Sequence, residues 1–231
     1  MMKKLALCVL LLAALPPAPL PAQERRPETV VEAVDEAARD LSWATFRAKL
    51  LAAIEKRDRK FVLGVIDPNV RNGSDAPSGI AEFRKQWEFD SDKGVFWRQL
   101  PATLSVGSAW FQRSNKQREL CAPYLLAKWP REVDPGVYGA IAVKEALVKA
   151  EPAWESPTIA TLSFHVVRVT DWEVPDRDPK FRQKWVQIRL LREGMGYVPE
   201  EYIRSPIEHT ACFVRAGNGW RLTVFGPAAR D

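Results

Sequence analysis

The chain has 231 residues, 46% hydrophobic and 27% charged, with a formal net charge of +5. Those proportions exclude disordered, collagen-like and disulfide-dense miniprotein classes, and the length fits one or two domains with a substantial core. Charge is balanced along the chain, 19 basic to 17 acidic over residues 23–135 and 13 to 12 over 136–231, which argues against a nucleic-acid partner.

Residues 1–22 read MMKKLALCVLLLAALPPAPLPA. Lys3 and Lys4 precede an apolar run from Leu5 to Leu15, and Pro16, Pro17, Pro19 and Pro21 follow before the small Ala22. A charged start, a short apolar stretch and a helix-breaking end make a secretory signal peptide. The run is too short to span a bilayer, which takes ~20 residues. Cys8 lies inside the apolar run behind bulky Leu7, which is no lipidation position. Cleavage near Ala22 and a periplasmic or secreted chain without a transmembrane segment are therefore expected. Export makes Cys121 and Cys212 a candidate disulfide, with buried free thiols or an intermolecular bridge as alternatives.

Residues 28–40 (ETVVEAVDEAARD) are rich in helix formers and predict a helix. Ser42 offers an N-cap to a second, where Trp43, Phe46, Leu50, Leu51 and Ile54 recur at helical spacing. Asp58 precedes a third helical stretch that stops at Asp67-Pro68. Turn residues fill 69–79. IAEFRKQWEF and KGVFWRQLPATLSV predict two more helices, the latter interrupted at Pro101. Residues 28–135 are thus expected to form a mainly helical domain. Within it, FRAKLLAAIEKRDRKFVLGVIDPNV, followed by Gly79 and Phe83, resembles the opening of nuclear-transport-factor-2-like domains over residues 46–83. That resemblance implies two helices around an Arg-Asp turn and an exit toward a curved sheet.

Beyond residue 140 alternation takes over. Val186, Ile188 and Leu190 fall on one face and Trp185, Gln187 and Arg189 on the other. TACFVR and WRLTVF flank Ala216-Gly217-Asn218-Gly219, a β-hairpin signal. Across 140–203, ALVKAEPAWESPTIATL, SFHVVRV, KWVQIRL and EGMGYVPEEYI resemble the bacterial SH3 (SH3b) family. Departures fall at Leu147, Lys149 and Glu151 and in the long connection from Asp171 to Gln183. The resemblance implies a small non-catalytic β-barrel that binds cell-wall peptides or glycans. The expected architecture is α+β: a mainly helical N-terminal domain, an SH3-like barrel over 140–203, and a C-terminal hairpin and tail over 204–231.

No nucleophile-elbow, phosphate-loop or His-Glu-x-x-His motif is present, and no cofactor, metal or catalytic residue is expected. His209 and Cys212 are three apart on a strand, which points them to opposite faces. His165 has no sequential link to a cysteine. Glu200-Glu201 and the Asp176/Asp178 pair lie in charged, surface-like runs. Aromatic residues are the better lead. Trp43, Trp87 and Trp97 fit core packing, whereas Trp154 and Trp172 lie among Glu, Asp and Pro. With Tyr197 and Tyr202 they form the candidate ligand surface. The sequence therefore points to an exported, non-catalytic module that binds peptidoglycan stem peptide or glycan. A protein–protein module of an envelope complex and an enzyme with a pocket in the helical domain are the alternatives.

Overall fold

The structure, a computed structural model, describes residues 28–74, 76–113, 116–190, 194–217 and 219–227; the expected signal peptide lies outside them. The first elements are α1 (Leu41–Glu55), α2 (Arg59–Gly64), β1 (Ile66–Arg71), α3 (Ile80–Gln86), α4 (Phe96–Ser105), β2 (Ala109–Gln112), β3 (Arg118–Ala122) and α5 (Leu125–Lys128). Asp40, not Ser42, caps α1: its carboxylate accepts the amides of Ser42 and Trp43 at 3.0 and 3.2 Å. Asp58 caps α2 by accepting the Phe61 amide at 3.0 Å. Pro101 does not interrupt α4, which runs through it.

The second half is β throughout. It contains β4 (Tyr138–Ile141), β5 (Ala146–Lys149), β6 (Thr158–Leu162), β7 (Val166–Pro175), β8 (Lys184–Arg189), β9 (Met195–Pro199), a 3-10 turn (Glu200–Tyr202) and β10 (Ile203–Arg204). The hairpin β11 (His209–Ala216) and β12 (Gly219–Pro227) closes the described chain.

The predicted helical N-terminal domain is not there. Its helices instead form one layer against a five-stranded sheet of order β1-β12-β11-β3-β2, two of whose three inner strands come from the C-terminal hairpin. β1 joins this sheet parallel to β12. A single core binds the two layers. It holds Trp43, Leu50 and Ile54 of α1, Phe83 of α3, Phe96 and Leu100 of α4, and Phe213, Leu222 and Phe225 of the hairpin. Trp43 lies 5.0 Å from both Phe213 and Trp220, and Phe96 5.2 Å from Phe225. Helical spacing correctly marks the apolar stripe; the partner it needs is a sheet whose strands lie over 100 residues away.

A closed barrel is not there either. β4 to β10 make a seven-stranded sheet of order β10-β4-β7-β8-β9-β5-β6. Its end strands do not meet: β6 is mostly exposed, and β10 contributes only two residues, both paired to β4. The strand β4 between β10 and β7 widens the sheet, and two residues are too few to carry a seam. Val148, Val167, Val186, Ile188 and Val198 fill the core on one side of this sheet.

Residues 28–40 are not a helix but a strap, turning at 36–39, that lies against both sheets. Val31 donates its amide to Phe164 at 2.9 Å, and Val166 donates to Thr29 at 2.8 Å. Further on, Glu36 donates to the Ser108 carbonyl, and its carboxylate accepts the Trp110 amide and pairs with Lys128. These partners satisfy the backbone as a helix would, so tertiary contacts override local propensity. The seven-stranded sheet sits in the chain between β3 and β11, and there Cys121 and Cys212 lie at disulfide distance, S–S 2.07 Å.

Candidate functional site

The chain passes between the two sheets twice, through residues 129–137 and 205–208. Ser205 Oγ donates to the Pro135 carbonyl at 3.1 Å and ties the two crossings together. Beside them a cleft of about 470 Å³ opens between the lobes. Gln99, Ala102 and Thr103 of α4 form one wall with Pro123; Trp172 and Glu173 of β7 face them, with Glu200, Glu201, Ile203 and Arg204 from the following turn and strand. Glu208 lines it from the second crossing, and His209 from the start of β11.

Trp172 reaches the cleft through two irregularities in β7. Asp171 pairs Gln187 where strict alternation from Val169–Ile188 would place residue 170, and a second shift follows before Val174–Trp185. An extra residue inverts the parity of a strand. Trp172, rather than Asp171, therefore packs with Val167 and Val169 on the core side. Gly139 on β4 makes room for it: a Cβ there would come 2.8 Å from Trp172 Cη2 and 2.9 Å from Ile203 Cδ1.

The electrostatics are one-sided. Glu173, Glu200, Glu201 and Glu208 bring four carboxylates, against one guanidinium from Arg204. Arg204 Nη1 donates to the Glu200 and Ile203 carbonyls, both at 2.8 Å, so that nitrogen braces the turn. Burial pushes the Glu208 carboxyl up to about 7, and Glu200 adds to the shift while Arg204 opposes it. Desolvation holds the His209 imidazole below its ordinary range, and its ring packs 5.4 Å from Trp87. A carboxyl that titrates near neutrality in a cleft can bind a cation or move a proton.

The four aromatic candidates divide. Trp172 lines the cleft. Trp154, 41% exposed, lies 5.2 Å from the buried Trp185 and 6.4 Å from Tyr202. Tyr197 stands in a polar ladder, its hydroxyl accepting from Gln187 Nε2 at 2.7 Å while Gln187 accepts from Thr170 at 2.9 Å. The 3-10 turn joins two of these regions: Tyr202 borders Trp154, and Glu200 and Glu201 line the cleft.

Neither cysteine is available as a nucleophile, since each is fully buried and bonded to the other. Glu119 comes within 4.8 Å of both sulfurs, but its carboxylate is taken by Arg71, Arg113 and Thr223. His165 Nδ1 accepts the Ser163 amide at 3.1 Å and faces Glu28.

No family model, no curated protein and no solved structure matches this chain. Both family resemblances therefore rest on the quoted residues alone. Glu200 and Glu201, expected in a solvated, surface-like run, line the cleft, as do Arg204 and Glu208, which no motif in the sequence marks. A weak signal was present, because three acidic residues and one arginine crowd positions 200–208 without helical or strand periodicity.

Proposed function

We propose that the protein is an exported binding protein that holds an amine-bearing ligand in the cleft between its two sheets. The ligand class that fits the sequence reading is the peptidoglycan stem peptide, whose free amino groups would meet the carboxylates. One observation carries this reading: four glutamates and the ring of Trp172 converge on a cleft with a single arginine. Such a field attracts cations and repels phosphates and other polyanions. Export draws support from the N-terminal sequence and the Cys121–Cys212 pair. Among the described residues no helix is long and apolar enough to cross a membrane.

The test is co-sedimentation of residues 23–231 with protein-free cell-wall sacculi at low and physiological salt, beside a Glu173→Gln/Glu200→Gln variant. Wild-type protein is expected in the pellet, and the variant in the supernatant. Protein that stays in solution at low salt overturns the reading.

A catalytic reading has one observation in its favour, the Glu208 carboxyl near 7, which suits a general acid at neutral pH. Release of soluble wall fragments during the same incubation, lost in Glu208→Gln, would replace binding with hydrolysis.

A further inference from the structure

Trp154 is an exposed indole that the protein goes to some length to hold still. Its neighbour Ala153 is buried and anchors the loop 150–157. Lys149, 8% exposed, crosses beneath, donating from Nζ to the Ser156 carbonyl at 3.1 Å and to Thr158 Oγ1 at 3.2 Å. Ser156 Oγ accepts the Glu151 amide at 2.9 Å, while Arg177 donates its own amide to Pro152 at 2.8 Å and pairs with Glu151. Behind the ring, Trp185 is fully buried and fixed by an Nε1 hydrogen bond to Asp176 at 2.8 Å. Tyr202 meets the Trp154 ring edge-on. A ring braced on these sides binds with little ordering cost.

We propose that Trp154 and Tyr202 form a sugar-binding ledge that takes one pyranose ring of a glycan. A pyranose presents an apolar C–H face, which stacks on an aromatic plane, and equatorial hydroxyls, which need fixed polar partners. Those partners stand beside the ledge: Gln183 Nε2 donates to Glu201 Oε2 at 2.7 Å and to the Lys184 carbonyl at 2.8 Å, orienting both an amide and a carboxylate. A peptide strand fits less well. The ledge is built from a loop, a 3-10 turn and Trp185, and Trp185 is already paired on both sides, to Val174 and to Pro199. The strand that carries Trp185 has no open edge for a peptide strand to join. A nucleotide is disfavoured because Glu200 and Glu201 repel phosphate.

Glu201 connects ledge and cleft, since it lines the cleft and takes the Gln183 amide. A polymer with sugars on one side and amines on the other would span both. This deepens the wall-polymer reading and rests on it for the identity of the polymer. The sugar ledge itself can be tested separately.

The test titrates N-acetylchitotetraose into protein carrying 15N-labelled tryptophan, with Trp154→Phe identifying the Trp154 indole signal. That signal is expected to shift. Affinity should fall about tenfold in Trp154→Ala and stay within about threefold in Trp154→Phe, which keeps an aromatic face. The Glu173→Gln/Glu200→Gln variant should bind the oligosaccharide as wild type does, so failure at the cleft and failure at the ledge give different results. No shift at millimolar oligosaccharide, or equal affinity in Trp154→Ala and wild type, overturns the proposal. An unchanged thermal midpoint in Trp154→Ala separates lost binding from lost fold.

Discussion

Cys121 and Cys212 face each other as directly paired residues of β3 and β11, their Cα atoms 4.1 Å apart, although 91 residues separate them in the chain. The whole seven-stranded sheet lies inside that interval. A bond at the neck of so long an insertion restrains the unfolded chain by about 4 kcal/mol in the chain-entropy description. The double variant Cys121→Ala/Cys212→Ala should therefore lose about 3–4 kcal/mol of stability, read as a lower urea midpoint. Both sulfurs are fully buried, so reductant without denaturant should free no thiol, and thiols should become titratable only once denaturant opens the neck. Thiols that appear at once on adding reductant to the native protein would show the neck to be open in the native state.

Glu208 makes stability depend on pH in a stated direction. Its folded carboxyl titrates near 7, above the ordinary 4.5, mainly because burial disfavours the charge. A raised folded value means the contribution is fully present below the unfolded value and is lost as pH rises through 7. The loss should be about 1–2 kcal/mol, since solvent at the cleft mouth screens part of the effect. Glu208→Gln should erase that slope, gaining on wild type between pH 5 and pH 8. Parallel urea midpoints for the two proteins across that range would contradict the desolvation argument.

What was legible in the sequence had local causes. Trp43, Leu50 and Ile54 announce α1 by spacing, and Asp58 announces the start of α2. Gly217 at φ +58° sits in the hairpin turn that the Ala216–Gly219 run predicts. What was hidden depends on partners far away. Ile66 becomes a strand residue because Leu222 lies beside it. Val30 and Val31 leave their helical pattern because residues 164–166 offer a ladder. The cleft was hidden for the same reason. Trp172 was visible as an aromatic among charges, but only the irregular pairing of β7 turns it toward Ile203, and Gln99 comes from an element 70 residues earlier.

Glu119 is a buried charge that several groups share. It is 1% exposed and accepts from Arg113 Nε, from Arg71 Nη2 at 3.0 Å and from Thr223 Oγ1 at 3.0 Å. Removing one member of such a cluster costs more than its attraction is worth, because the remaining charges stay desolvated. Glu119→Gln should lose about 3 kcal/mol. Arg71→Met should lose under about 1 kcal/mol, because that side chain is 37% exposed. Chemical denaturation of both variants checks the ranking, and equal losses would mean that burial does not govern the cluster.

Gly107 decides whether the strap is part of the fold or merely rests on it. Its φ is +90°, and a Cβ there would stand 2.4 Å from the Val34 carbonyl oxygen. The same stretch accepts the Tyr124 amide at Gly107 and the Glu36 amide at Ser108, while Tyr124 Oη donates to the Val31 carbonyl at 3.1 Å. Gly107→Ala therefore adds a steric clash with the strap to backbone strain of about 1–2 kcal/mol. If the strap joins the two sheets, displacing it should cost at least about 2 kcal/mol beyond that strain. It should also raise hydrogen exchange at the Val31 and Val166 amides, whose acceptors lie across the strap–sheet contact. A loss limited to the strain, with those two amides as protected as in wild type, would mean that the sheets hold together without it.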